Sequence, residues 1–250
     1  MSVFLRTAFI AVFSNSFVLG DIITLTPNQD NSIFSESENS DGIGWLLVGK
    51  AGPGLRRALV RFDIAGSSIP AGATINSVEL TLTQLIRASG NNNQYTLELH
   101  PVTATWGEGT SGAQGPGGGA GTAATAGDAT WTKRIFSTDS WTNPGGDFGP
   151  VSGTTLVGGI AGPYTFTSQS GTVTDVQNWL NNPSSNFGWL MRLSDEGATL
   201  NARGFGSRES SIDAPTLKIT YTAVPEPGSC FLIGAAVIAA TIYRPSRRRL

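Results

Sequence analysis

Two short stretches set the terms for the rest of this chain. Val78, Leu80 and Leu82 alternate with Glu79, Thr81 and Thr83, and Tyr95, Leu97 and Leu99 alternate with Thr96, Glu98 and His100. A period of two sends one set of side chains to a buried face and the other to solvent, the pattern of a half-buried β-strand. Between them, residues 88–93 read Ala-Ser-Gly-Asn-Asn-Asn, the chemistry of a hairpin or loop. Further strands are expected at 22–26, 45–48, 57–64, 164–167, 187–193, 204–207 and 216–221, separated by Gly, Asn, Ser and Pro. This spacing favours an all-β antiparallel sandwich over alternating strands and helices. One stretch reads as a short helix. Val173, Val176, Trp179 and Leu180 share a face, Thr172 or Thr174 can cap its start, and Asn181-Asn182-Pro183 stops it.

The residue counts remove much chemistry. With one Cys, Cys230, and one His, His100, a Cys/His zinc site lacks ligands and no disulfide can form within the chain. Any triad with an imidazole base must use His100, whose place opposite Leu99 in the alternation predicts an outward-facing, inert side chain. A net charge of -2 advertises no nucleic-acid surface. From 107 to 121, eight of fifteen residues are Gly, too little apolar surface to offset ordering entropy, so a mobile loop is expected. Phosphate binding there would need a strand-to-helix context and a following Lys-Ser/Thr, and neither is present.

The two ends differ from the middle. Arg6 precedes a short apolar run, small or apolar residues lead to Gly20, and the first acid is Asp21, so 1–20 read as an export signal peptide. A buried first strand is the alternative. At the other end, Pro225-Glu226-Pro227 within a 223–229 linker is followed by an uncharged run, 230–243, and a tail, 244–250, carrying Arg244, Arg247, Arg248 and Arg249. The run would make a helix of about 21 Å, short for a relaxed span, but flanking arginines can snorkel and orient the tail toward the cytoplasm. A C-terminal transmembrane helix is therefore expected. This tripartite end resembles the PEP-CTERM sorting tail of bacteria that make exopolysaccharide. The resemblance implies export, transient inner-membrane anchoring, and cleavage near Pro-Glu-Pro by an exosortase-type partner. Between the ends, residues 21–222 hold eleven Lys/Arg against seventeen Asp/Glu and no Cys, an acidic body suited to an oxidising compartment.

The body carries a second resemblance. Residues 57–64 (Arg-Ala-Leu-Val-Arg-Phe-Asp-Ile), 69–75 (Ile-Pro-Ala-Gly-Ala-Thr-Ile) and 78–82 are followed by Trp106-Gly107-Glu108-Gly109, Ala129-Thr130-Trp131, Trp141 and Gly145-Gly146-Asp147-Phe148. Thr174-Asp175-Val176, Trp179-Leu180, Phe205-Gly206-Ser207-Arg208-Glu209-Ser210 and Ala214-Pro215-Thr216-Leu217 complete the set. Spread over nearly all of 21–222, this pattern resembles the DNRLRE-type domain of secreted bacterial proteins. It implies a jelly-roll β-sandwich similar to a carbohydrate-binding module, with no known catalytic set.

Four residues are candidates for contact with sugar. Trp106, Trp131 and Trp141 lie in Gly- and Thr-rich surroundings where an exposed indole could stack on a pyranose ring, unless they plug the sandwich beneath long loops. Arg208 could grip a uronic acid carboxylate. Arg208 and Glu209, adjacent in an expected strand, should point to opposite faces and not pair. Trp45, Trp179 and Trp189 are expected in the core. Asp30, Glu36, Glu38 and Asp41 offer hard oxygens for a structural calcium, the one cofactor left open, though scattered acids are more often a solvated face. Two functions compete: an exported, non-catalytic surface or matrix protein binding exopolysaccharide, and a polysaccharide lyase or glycosidase built on the sandwich.

Overall fold

The computed structural model describes residues 20–88, 91–112 and 118–224. Residues 1–19, the Pro-Glu-Pro motif, the apolar run and the Arg-rich tail lie outside the described residues. No helix among the described residues is long and apolar enough to cross a membrane.

In chain order the strands are β1 (Asp21–Leu25), β2 (Gln29–Phe34), β3 (Asn39–Ser40), β4 (Leu46–Ala51), β5 (Gly54–Arg61), β6 (Thr74–Arg87), β7 (Tyr95–Pro101) and β8 (Thr122–Ala123). They continue with β9 (Lys133–Ile135), β10 (Asp139–Ser140), β11 (Gly153–Val157) and β12 (Gly162–Phe166). The helix α1 (Ser170–Asn181) precedes β13 (Trp189–Leu193), β14 (Arg203–Phe205) and β15 (Thr216–Thr222). The pairing is antiparallel and makes a β-sandwich. In one sheet β6 is central: β15 and β14 follow each other along one edge, β12 takes the other, and β1 lies outside β15. In the second, β2 and β13 flank β5, and β7 and β11 follow β13. β4 belongs to both, because 46–48 pair with β14 and 49–51 pair with β5.

Both founding alternations are strands, but they are not a hairpin. β6 pairs with β12, β14 and β15, whereas β7 pairs with β11 and β13, so the two strands lie in different sheets. Leu80 and Leu82 meet Leu97 and Leu99 across one core, all at most 1% exposed, each burial contributing about 1.5–3 kcal/mol. Val176, Trp179 and Leu180 of α1 join that core, with the Trp179 ring 4.6 Å from Trp189. The helix begins one turn before the expected caps. Gln169 is the N-cap, and Thr172 Oγ accepts from its backbone N–H (3.3 Å) and donates to its carbonyl (2.9 Å). Buried Thr172 thus serves the cap from the third helical position.

A second apolar cluster covers the outer face of the β5–β13 sheet. Ile33, Leu59 and Leu190 pack there under Val102, Trp106, Ala129 and Trp141 from the long connection after β7. That cover corrects the expectation for His100. It does lie on the outer face, opposite Leu190, but is only 4% exposed. The Phe148 ring stands edge-on 4.8 Å away, and the imidazole nitrogens contact Gly149 O (2.9 Å) and Glu98 Oε2 (3.3 Å). The Gly-rich stretch also departs from a free loop in its described parts. Gly107 N donates to Arg134 O and Gly42 N to Ser111 O. Buried Asp128 accepts from the N–H groups of Thr110 and Ser111 on one oxygen and of Thr125 on the other. A charge-assisted acceptor for several backbone donors offsets the entropy of so many glycines.

Candidate functional site

The outer face of the β6 sheet carries a cleft of about 230 Å³. Ile43, Gly44 and Trp45 form one wall, Leu85 the floor, and Ser207, Glu209 and Ser210 the other wall. Leu85 follows from the pleat of β6, where it succeeds buried Gln84, and Trp45 sits in the turn just before β4. There it is half-buried rather than core. The strand expected at 45–48 begins one residue later, and Leu46 and Leu47 are both buried, so adjacency in the sequence did not mark Trp45 as outward. The turn that presents Trp45 is held by Asp41, whose Oδ2 accepts the Trp45 N–H at 3.2 Å. Gly44 permits this, since a Cβ there would collide with the Asp41 carboxylate.

Behind Glu209 lies a set of charges drawn from three parts of the chain. Asp30 comes from β2 and shares the inward face of Val60. Glu108 follows Trp106, and Arg208 and Glu209 sit in the turn after β14. Gln29 and Asn31 side chains donate to the carbonyls of Trp106 and Glu108, both at 2.9 Å, and Asp30 N donates to Glu108 Oε1 at 2.8 Å. Arg208 N donates to Asp30 Oδ2 at 2.8 Å, while its guanidinium bridges Glu108 (2.5 and 3.0 Å) and Glu209 (3.1 Å). The expectation that Arg208 and Glu209 would diverge fails because they occupy a turn, not a strand. One carboxylate oxygen each from Asp30, Glu108 and Glu209 lies within 4.8 Å of the others. Burial pushes the Asp30 carboxyl well above the usual carboxylate range; the Arg208 N–H opposes this, and the charges of Glu209 and Glu108 reinforce it. The Glu108 carboxylate holds Arg208 firmly protonated.

The other sequence candidates go elsewhere. Trp106 and Trp141 are each 4% exposed, with indole N–H groups donating to Phe187 O (2.8 Å) and Thr130 O (2.9 Å), so neither offers a face to a ligand. Trp106 instead anchors the segment that carries Glu108. Trp131 is half-buried, with the Arg57 guanidinium 4.8 Å from its ring centre. Arg57 is in turn clamped by both oxygens of Glu196. Among the described residues, Asp30 is the one of the four acids considered for calcium that joins a carboxylate cluster. Glu36 pairs with Arg56 at 2.6 Å, Glu38 accepts from the hydroxyls of Thr130 and Thr132, and Asp41 holds the Trp45 turn. No protein-family model matches the chain, and no curated protein matches it.

Proposed function

We propose that this chain is an exported, non-catalytic protein of the cell surface or extracellular matrix whose sandwich domain binds exopolysaccharide in the Trp45 cleft. The observation that carries the binding reading is the half-buried indole in a concave site flanked by two serines and a carboxylate. An aromatic wall with a few convergent polar groups is the usual composition of a small-ligand site, and an indole face suits the apolar face of a sugar ring. The jelly-roll, DNRLRE-type likeness of the body points to the same ligand class, and the PEP-CTERM-like tail supports export and handling by an exosortase-type partner. Binding is preferred to catalysis on a physical ground. A general acid needs a carboxyl held protonated within reach of substrate, and Asp30, the acid in this cluster whose pKa is raised, is fully buried.

The test is affinity electrophoresis of the full chain in gels containing neutral or acidic polysaccharides. At least one gel should retard the wild type, and Trp45→Ala should weaken that retardation about two- to twelvefold, as expected for losing one aromatic contact of about 0.5–1.5 kcal/mol. Equal migration of the two proteins in every gel would remove the cleft as the sugar seat. Release of reducing ends or unsaturated uronates from the same polysaccharides would transfer the site to the carbohydrate-active class.

A further inference from the structure

We propose that Asp30, Glu108 and Glu209 bind one divalent cation, calcium being the ion their oxygens suit. Three observations converge. One oxygen from each carboxylate lies within 4.8 Å of the others, a spread that Ca–O bonds of about 2.3–2.6 Å can span. Asp30 is 0% exposed, and its Oδ1 is buried with no hydrogen-bond partner, although its Oδ2 is satisfied by Arg208 N. A buried carboxylate oxygen left without a donor is costly, and a coordinated cation supplies what is missing. Charge agrees with the valence: with Asp30 giving up its proton as the ion binds, three carboxylates facing one guanidinium leave two negative charges, which one divalent ion neutralises. The donors are all hard oxygens, which selects calcium, magnesium or manganese over zinc or copper. Magnesium demands near-ideal octahedral geometry and gives up its waters reluctantly, whereas calcium accepts irregular carboxylate sets. An ion here would tie β2, the segment after Trp106 and the turn after β14 into one unit, fixing the wall of the Trp45 cleft. The site stands on its own atoms and does not depend on the glycan reading.

The experiment uses the full chain, stripped of divalent ions with a chelator, titrated with calcium chloride by calorimetry and separately with terbium under tryptophan excitation. One calcium per chain is expected, with terbium luminescence sensitised by Trp45, which shares the cleft with Glu209. Glu209→Gln and Glu108→Gln should each weaken calcium at least tenfold. Arg208→Gln should tighten it severalfold, because it removes a competing internal cation while keeping the backbone N–H on Asp30. Glu79→Gln, an exposed acid paired with Lys218, should change nothing. Glu209 lies in a solvent-facing turn, so its variant is expected to keep the wild-type near-ultraviolet circular dichroism. The proposal is overturned if calcium gives no saturable heat, or if natively folded Glu209→Gln binds calcium as the wild type does.

Discussion

Asp175 is half-buried on α1, and its carboxylate accepts the indole N–H of Trp189 at 2.7 Å. Burial raises its pKa above the usual carboxylate value, and the hydrogen bonds from Ser152 and Trp189 only partly oppose this. The native state therefore holds this proton at a pH where the unfolded chain has released it, so stability from this group falls as pH rises. The penalty is absent below the unfolded pKa, about 4, and complete above the raised native value. Asp175→Asn keeps an oxygen for the indole and removes the charge. Urea unfolding at several pH values should show the variant gaining on the wild type between about pH 4 and 7, with no difference near pH 3. A constant difference across that range would mean that the carboxylate is not penalised. The same scale shows how little of the candidate site a sequence exposes. Asp30 was identifiable as a hard-oxygen donor, but 78 residues separate it from Glu108, and its near neighbours Glu36, Glu38 and Asp41 each serve other groups. Proximity in sequence misdirected the grouping because pairing in a sandwich is set by strand order. Trp45 was expected in the core and its half-burial follows from the turn before β4, while the burial of Trp106 and Trp141 depends on where a long connection folds back.

A dense apolar run marked β5 and β13 although both are buried on both faces, whereas β2, buried on both faces but polar, gave neither that signal nor an alternation. β6 alternates because solvent meets one side, and β7 alternates although its outer face is covered at His100. In β2, Asp30 to Phe34 are all fully buried, one face against the sandwich core and the other beneath the covering connection, so Gln-Asp-Asn-Ser-Ile-Phe shows no period at all. Its polar side chains are there for hydrogen bonds: Asn31 accepts from Ser40 Oγ and from Asp41 N, and Ser32 donates to Trp45 O. β4 posed a different difficulty. Its expected end at Val48 marks the point where it leaves one sheet, and the strand continues into the other. Gly49 makes the change of direction with φ +88°, and a Cβ there would approach Leu193 and Asn201 Oδ1 to 2.8 and 2.9 Å. Asn201 cannot yield freely, since its Oδ1 accepts Lys50 N at 2.7 Å and its amide donates to Asp195 O at 2.8 Å. Gly49→Ala should therefore cost about 2 kcal/mol through left-handed strain and crowding. Its urea midpoint should fall accordingly. Gly52→Ala, also at positive φ but with open space around it, should cost less. Equal losses would show that backbone strain alone, and not the packing at the sheet crossing, sets the cost.

At the scale of the whole molecule, an acidic sandwich is joined to a basic end through a point that faces solvent. β15 ends at Thr222, and Val224 is 60% exposed, so the chain leaves the fold at its surface. From there the sequence runs through the Pro-Glu-Pro linker and fourteen uncharged residues to four arginines among the last seven. On the expectation that this run is a membrane helix, fourteen residues would give about 21 Å against a hydrocarbon layer of about 30 Å, so such an anchor would work at the margin of what a bilayer accepts. A marginal anchor responds strongly to single changes. An arginine at the helix centre costs about 2.5–3.5 kcal/mol on insertion scales, while leucine there is mildly favourable. Ala236→Arg should thus shift the precursor from the membrane to the soluble fraction, and Ala236→Leu should lengthen its stay. Replacing Arg247, Arg248 and Arg249 by Ser should disturb orientation, read by protease accessibility of the tail from the cytoplasmic side. The unfolding midpoint of the sandwich should not move. Membrane fractionation and intact-mass measurement of protein released from the producing cell decide the matter. Released chains ending near Pro225–Pro227 are expected, and released chains that retain 230–250 would rule out the cleavage step.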